Sequence, residues 1–301
     1  MKMNKLKSNN IIRFKNSYHP YAAITILFWS FAYVLTRLSL EYFTAFSLGF
    51  LRYFIASCTL AVTAFITKMK LPGKKDIPWF FAAGSMGFFI YMLTFNQGQA
   101  MVTAATGSVV IATVPVITAL LARVIFQEQL KPYQWTAIAI SFLGVSVLAL
   151  MKGGFSVNGG LFWLILAALS LSVYNLLQRK LTKTYSAMQT STYSIFFGTL
   201  LLSIFAPSSF HGFIHAPARQ MIYLGILGVC SSAIAYVSWA KAFSKAKQTS
   251  QVSNYMFITP FLTGILGFLL AGEIPDPATI IGGGIILIGL MIFNFGDILF
   301  A

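Results

Sequence analysis

The chain has 301 residues, of which 57% are hydrophobic and only 9% charged, with a formal net charge of +15. Mean hydropathy is strongly positive, which excludes an ordinary soluble globular domain and makes a lipid bilayer the natural solvent. The excess of Lys and Arg does not form a nucleic-acid surface, because it follows the gaps between apolar segments rather than clustering on one folded face.

Residues 1–20 are basic and polar, and they read as a cytoplasmic tail that contacts anionic lipid headgroups. The apolar run behind them is of full span length, so no cleavable signal peptide is expected. An apolar helix needs about 20 residues to cross the roughly 30 Å hydrocarbon layer. Ten such segments follow, at 21–40, 46–67, 77–97, 103–126, 133–151, 159–179, 188–206, 219–240, 249–271 and 277–296. Lipid offers backbone groups no partners and these segments overshoot a barrel strand, so the expected fold class is an all-α polytopic membrane protein. Cys58 and Cys230 fall inside segments, where they act as small apolar side chains. Alternating the loops gives 17 Lys and Arg to one side and Arg37, Lys152 and Arg219 to the other, with Arg52 alone inside a span. The positive-inside rule then places both termini in the cytoplasm of a cell whose inner membrane holds the chain.

The chain repeats itself. PVITALLARVIFQEQLKP from Pro115 and PFLTGILGFLLAGEIPDP from Pro260 align without a gap at an offset of 145, sharing the first and last prolines, Thr118 with Thr263 and Glu128 with Glu273. The same offset sets Tyr91 on Tyr236, Ser108 on Ser253 and Gly144 on Gly289, and an offset of 142 sets Ser30 on Ser172 and Arg37 on Arg179. Two five-helix units are expected, at 21–151 and 159–296, joined by an outer loop at 152–158 and followed by a short tail at 297–301. Five being odd, the second unit crosses in the opposite sense, an inverted repeat. Glu128 and Glu273 then sit at opposite membrane edges, each in the turn before a proline that opens the next helix, where a carboxylate favours that helix start. A substrate or proton role is the alternative. Pro115 and Pro260 each remove a donor inside a span and kink it, freeing carbonyls near Ile111 and Met256 or simply improving packing.

In order, spacing and duplication, several motifs resemble the EamA-type transporters of the drug/metabolite transporter superfamily: FWSFAYVLTR in the first span, FLRYF around Arg52, TVPVITALLARVIFQEQL, and AKAFSKAKQTSQVSNYMFITPFLTGILGFLLAGE. The similarity covers residues 20 to 296. It implies ten helices, a central cavity between two halves, and movement of small metabolites, often amino acid export. Ser30 departs from the glycine common there.

In inverted-repeat carriers the cargo lies near the midplane, where the repeats meet. Polar and aromatic side chains at helical spacing are therefore the candidates. They are Trp29 and Tyr33 with Arg37 on the first span, Tyr91, Phe95 and Gln99 with Asn96 on the third, and Ser108 on the fourth. The second half adds Tyr174, Asn175 and Gln178 on the sixth span, then Tyr236, Trp239 and Asn254 on the eighth and ninth. Each has a packing alternative: tight interhelical contact for Trp29, Tyr91 and Tyr236, interhelical hydrogen bonding for Asn175 and Asn254. Trp79, Trp135 and Trp163 read as interfacial belt residues. Arg52 lies close enough to the outer side to snorkel, and a structural or gating role is preferred for it. Arg37 and Lys241 are gate or anchor residues at opposite cavity mouths. No carboxylate stands in mid-membrane, which favours a facilitator or exchanger over a proton-coupled drug pump.

No catalytic motif is present. His211 and His215, in an expected outer loop, are too few for a metal site. The reading is an alternating-access exporter of amino-acid-like metabolites with no cofactor, a small-molecule substrate, lipid as its surroundings and a monomer as the favoured state. Its rivals are an importer or exchanger of a nucleotide-like or other anionic metabolite, and a non-transporting scaffold or enzyme.

Overall fold

A computed structural model describes residues 17–151 and 159–299, so the tail 1–16, the connecting loop with Lys152 and the final two residues lie outside the described residues. All regular structure among the described residues is helical. Eight helical runs are long and apolar enough to cross a membrane: α1 (His19–Ser39), α2 (Ala45–Ile66), α3 (Lys74–Met101), α4 (Ala104–Phe126), α6 (Gly159–Leu181), α7 (Ala187–Ile214), α8 (Ala218–Lys245) and α9 (Gln251–Ala271). Two more helices, α5 (Pro132–Met151) and α10 (Pro277–Leu299), open on the prolines expected to start them and carry shorter apolar stretches, Pro132–Leu148 and Pro277–Phe293. The outer surfaces of the spans present side chains such as Phe65 of α2, Val124 of α4 and Ile214 of α7, which are exposed as lipid-facing groups are.

Local chemistry repeats between the units. Thr44 caps α2 by accepting from the Ser47 amide at 3.2 Å, and Ser186 caps α7 with a capping box closed by Gln189. Both α4 and α9 end on a left-handed residue, Gln127 at φ 54° and Gly272 at φ 64°. In α3 and α8 the helix widens into π-helical runs, Ser85–Ile90 and Ile226–Ile234. Immediately before Pro115 the α4 helix breaks at Ala112 and Thr113, and before Pro260 the α9 helix tightens to a 3-10 run at Asn254–Ile258. A proline cannot donate to the preceding turn, so the interruption falls where it must.

The units interlock. The α1 helix packs on α8 and α9, while α6 packs on α3 and α4, and α5 lies along α10. Close approach depends on glycine. A Cβ on Gly198 of α7 would stand 2.3 Å from the Cβ of Phe88 on α3, one on Gly87 would stand 2.3 Å from the Tyr174 ring, and one on Gly289 would stand 2.4 Å from the Ser141 hydroxyl. Other glycines are not at close contacts: Gly264 has open space, and Gly267 has only ordinary contact with Glu273. Ser30, in the place of a glycine, is buried and returns its hydroxyl proton to the Ile26 carbonyl of its own helix at 2.8 Å.

One expectation changes at the loops. His211 lies in the last turn of α7 rather than in an irregular loop and His215 is the capping residue just past its end, with His215 Nδ1 2.9 Å from the His211 carbonyl. Between α6 and α7, Tyr185 donates to the Asp76 carboxylate and accepts from the Gly73 amide at 3.0 Å, pinning the α2–α3 connection. The hydrogen bond to that carboxylate holds the phenol above its usual range. Trp79 and Trp135 stand exposed beneath cations, with Lys180 3.0 Å and Arg123 5.6 Å from their ring centres.

A matched pair of substitutions tests the packing. Gly198→Ala is expected to cost about 1–3 kcal/mol through overpacking, and Gly264→Ala to stay within about 0.5 kcal/mol; thermal unfolding in detergent compares the two.

Candidate functional site

Helices of both units converge on a cavity of about 20 Å³, lined by Trp29, Ala32 and Tyr33 of α1, Arg52 of α2, Tyr91 and Phe95 of α3, Leu171 of α6, Tyr236 of α8, and Met256 and Thr259 of α9. That is room for a single water. Its walls are aromatic rings leaning on one another: Trp29 lies 5.1 Å from Tyr236, Tyr33 meets Phe95 edge-on at 5.3 Å, and Tyr91 stacks on Phe95 at 5.4 Å. The four-residue spacing of Trp29 and Tyr33, and of Tyr91 and Phe95, puts each pair on one helix face.

The π-helical run of α8 supplies the polar anchor. There the i→i+5 geometry departs from the regular ladder, and the Ser231 carbonyl accepts from Trp29 Nε1 at 3.2 Å. It also lies 3.5 Å from Arg52 Nη2, while Arg52 Nε donates to the Ser232 hydroxyl at 2.7 Å. Arg52 is only 3% exposed. It does not snorkel to an interface; its guanidinium forms part of the cavity wall, 5.7 Å from the Tyr53 ring. Tyr53 in turn donates to the Tyr236 hydroxyl at 3.3 Å.

Five of the sequence candidates, Trp29, Tyr33, Tyr91, Phe95 and Tyr236, line this cavity. Trp239, Tyr174, Asn175 and Gln178 form a buried, hydrogen-bonded layer beside it instead. Trp239 Nε1 donates to Asn175 Oδ1 at 3.1 Å, Asn175 Nδ2 donates to Thr118 at 3.4 Å, and Gln178 donates to the Tyr174 hydroxyl. Gln99 and Ser108 are buried elsewhere, Gln99 against Gly107 and Ser108 donating to the Ala105 carbonyl at 2.8 Å. Asn254 lines a separate polar pocket of about 340 Å³ together with Glu128, Gln134 and Gln251. Lys241 is exposed in a shallow pocket with Tyr21 and Met188. Sequence reasoning missed Ala32, Leu171, Met256 and Thr259; only Thr259, a hydroxyl directly before the kinking proline, carried a signal.

The duplicated glutamates reach across to the other unit rather than capping the helices that follow them. Glu273 Oε2 accepts from the Ala104 amide at 2.8 Å, at the start of α4 in the other unit. Glu128 Oε1 accepts from the Thr249 hydroxyl at 3.2 Å, in the turn that leads into α9. Ala104 and Thr249 are themselves related by the 145-residue offset. The following helices are served by nearer groups: Asp276 accepts from the Thr279 amide at 2.8 Å, and Gln134 from the Lys131 amide at 2.8 Å. At the Glu273 end, Arg37 adds an ion pair at 3.5 Å and reaches the Ala100 carbonyl at 3.4 Å. Its counterpart Arg179 instead binds the carbonyls of Phe243 at 3.0 Å and Ala246 at 2.6 Å.

Comparison with known proteins fits this duplicated architecture. The profile of the EamA-like transporter family matches residues 16–150 and again 158–295. YdfC of Bacillus subtilis (strain 168), named an uncharacterized transporter, is 30% identical over 91% of this chain and 89% of its own length. A protein of Streptantibioticus cattleyicolor named a probable terminal-alkyne amino-acid exporter is 29% identical over 90% of this chain and 91% of its own. An S-adenosylmethionine uptake transporter of Rickettsia prowazekii is 25% identical over 81% of this chain and 80% of its own. A solved crystal structure shares the fold with a TM-score of 0.65 at 17% identity, over 91% of this chain and 94% of its own. With two family matches that together span most of its length, the chain belongs to the EamA-like transporter family.

Proposed function

We propose that this membrane protein moves small metabolites by alternating access, exporting amino acids or related compounds through the aromatic cavity. In this reading α5 and α10 also cross the bilayer, giving ten spans in two units of opposite sense, with both termini in the cytoplasm and the inner membrane as its location. One observation carries the proposal: the cavity is walled by helices of both units, so a rocking of one unit against the other opens it to either side. It is nearly closed at about 20 Å³, whereas small-molecule sites run to about 300 Å³ or more, so loading requires that movement. An exporter among the relatives supports the direction. Import of a metabolite is the second reading, favoured by the uptake protein among them. A scaffold or enzyme has no residue constellation to rest on among the described residues.

Flux of a labelled amino acid and nucleobase panel into proteoliposomes of the purified protein tests this. Tyr236→Ala, which removes a ring from the cavity wall, is expected to lower flux about tenfold, a loss of roughly 1.4 kcal/mol; unchanged flux would move the path away from this cavity. An imposed pH gradient is expected to leave the rate unchanged, since no carboxylate lines the cavity. Gradient-driven uptake would instead make Glu128 and Glu273 the coupling groups. Glu273→Ala leaves the Ala104 amide and Arg37 without their partner and is expected to destabilise the protein by about 1.5–3 kcal/mol. Glu273→Gln, which keeps an acceptor for the amide, should cost less in the same thermal unfolding measurement.

A further inference from the structure

We infer that the central cavity recognises a monocarboxylate, with the Arg52 guanidinium as its counter-ion and the surrounding ring faces holding an apolar or aromatic body. This rests on the transport reading above and names the cargo's chemical class. A buried cation inside a membrane protein is costly unless something compensates it. Arg52 sits about two turns into α2 and faces only neutral groups: the Ser232 hydroxyl, the Ser231 carbonyl and the Tyr53 ring.

None of the described carboxylates pairs with it. Glu273 is engaged by Arg37 and the Ala104 amide, and Glu128 by Thr249. The hydrogen bonds it does make run from Nε and Nη2. They fix the plane of the fork and leave Nη1 without a protein acceptor among the described residues, on a side chain that lines the cavity. A planar carboxylate matches such a fork better than a point charge does.

A second group points the same way. The Thr259 hydroxyl lines the cavity, is buried, and has no hydrogen-bond partner, so it is free to donate to a bound oxygen. One guanidinium balances one negative charge, which disfavours nucleotide-like polyanions. The cavity has no acid for an ammonium group. An α-amino group is therefore tolerated by the ring faces but not required, and a deaminated acid should bind as well as the amino acid.

The test compares ligands on the wild-type protein, so it does not depend on a variant folding. Purified protein in detergent is titrated with L-phenylalanine, 3-phenylpropionate and L-phenylalaninamide, reading the tryptophan fluorescence to which Trp29 and Trp239 contribute. Both acids are expected to give saturable changes, and the amide to bind at least about tenfold more weakly for want of the charge-assisted pair. Arg52→Gln should erase that ranking and Arg52→Lys keep part of it. A merely structural Arg52 would leave the ranking intact while lowering stability. Equal binding of acid and amide, or no saturable binding of either acid, overturns the inference. Flux in proteoliposomes separates the two readings: transport of panel compounds with no preference for the carboxylate sinks the Arg52 inference alone, whereas no flux of any compound sinks the transport reading.

Discussion

Inside a bilayer each buried polar group must find its partner within the chain, and the architecture follows from how that demand is met. Continuous helices satisfy themselves. The informative places are where the helices stop or loosen. At the start of α4 the Ala104 amide would be an orphan donor, and it is taken by a glutamate that arrives from the other unit. In the π-helical part of α8 the Ser231 carbonyl is taken by Trp29 and lies against Arg52, while the Ser231 hydroxyl returns a bond to the Phe28 carbonyl at 2.9 Å. Both of these breaches in one unit are closed by a side chain from the other. The halves are thus tied by hydrogen bonds at their ends and by rings in the middle.

Duplication explains why these ties come in pairs, and departures from it show where the halves specialised. The left-handed position that ends α4 holds Gln127, and its counterpart ending α9 holds Gly272. Glycine takes that conformation without a Cβ clash, whereas a side chain is strained there by about 1–2 kcal/mol. Both glutamates bond across the units, but among the described residues only Glu273 has an ion pair with an arginine. Arg179, the counterpart of Arg37, has moved onto backbone carbonyls at the end of α8.

Much of the fold was legible because hydropathy over 20 residues is a strong signal and an 18-residue match at an offset of 145 is a strong repeat. Helix boundaries followed from Pro132 and Pro277. The site was half legible. Trp29, Tyr33, Tyr91, Phe95 and Tyr236 were found because aromatic pairs four residues apart mark a face. Gln99 and Ser108 were placed with them because a polar stripe in sequence does not say which neighbouring helix covers it. The destination of the glutamates was hidden for a different reason. A carboxylate next to a proline suggests a local cap, and only the interlocking of the two units brings Ala104 within reach of Glu273. For Arg52, depth along α2 is visible in sequence and left snorkelling open beside the preferred structural or gating role, but the turn of its guanidinium toward Ser232 is not visible there.

The two ends of the molecule are held unequally. At the Glu273 end a carboxylate, an arginine and two backbone groups form one cluster. At the Glu128 end a single hydroxyl meets the carboxylate, and a polar pocket of about 340 Å³ lies beside it with the Asn254 carbonyl oxygen unpartnered. A hydrogen bond between a charged group and a backbone amide is worth more than one to a hydroxyl already close to water. The Glu273 carboxylate is therefore held more strongly by the opposite unit than the Glu128 carboxylate is. Between them the rings around Arg52 have closed on one another. On the proposed reading, the energy that a cargo supplies on binding goes into parting those rings, and a charge opposite Arg52 is the contribution that no described carboxylate makes.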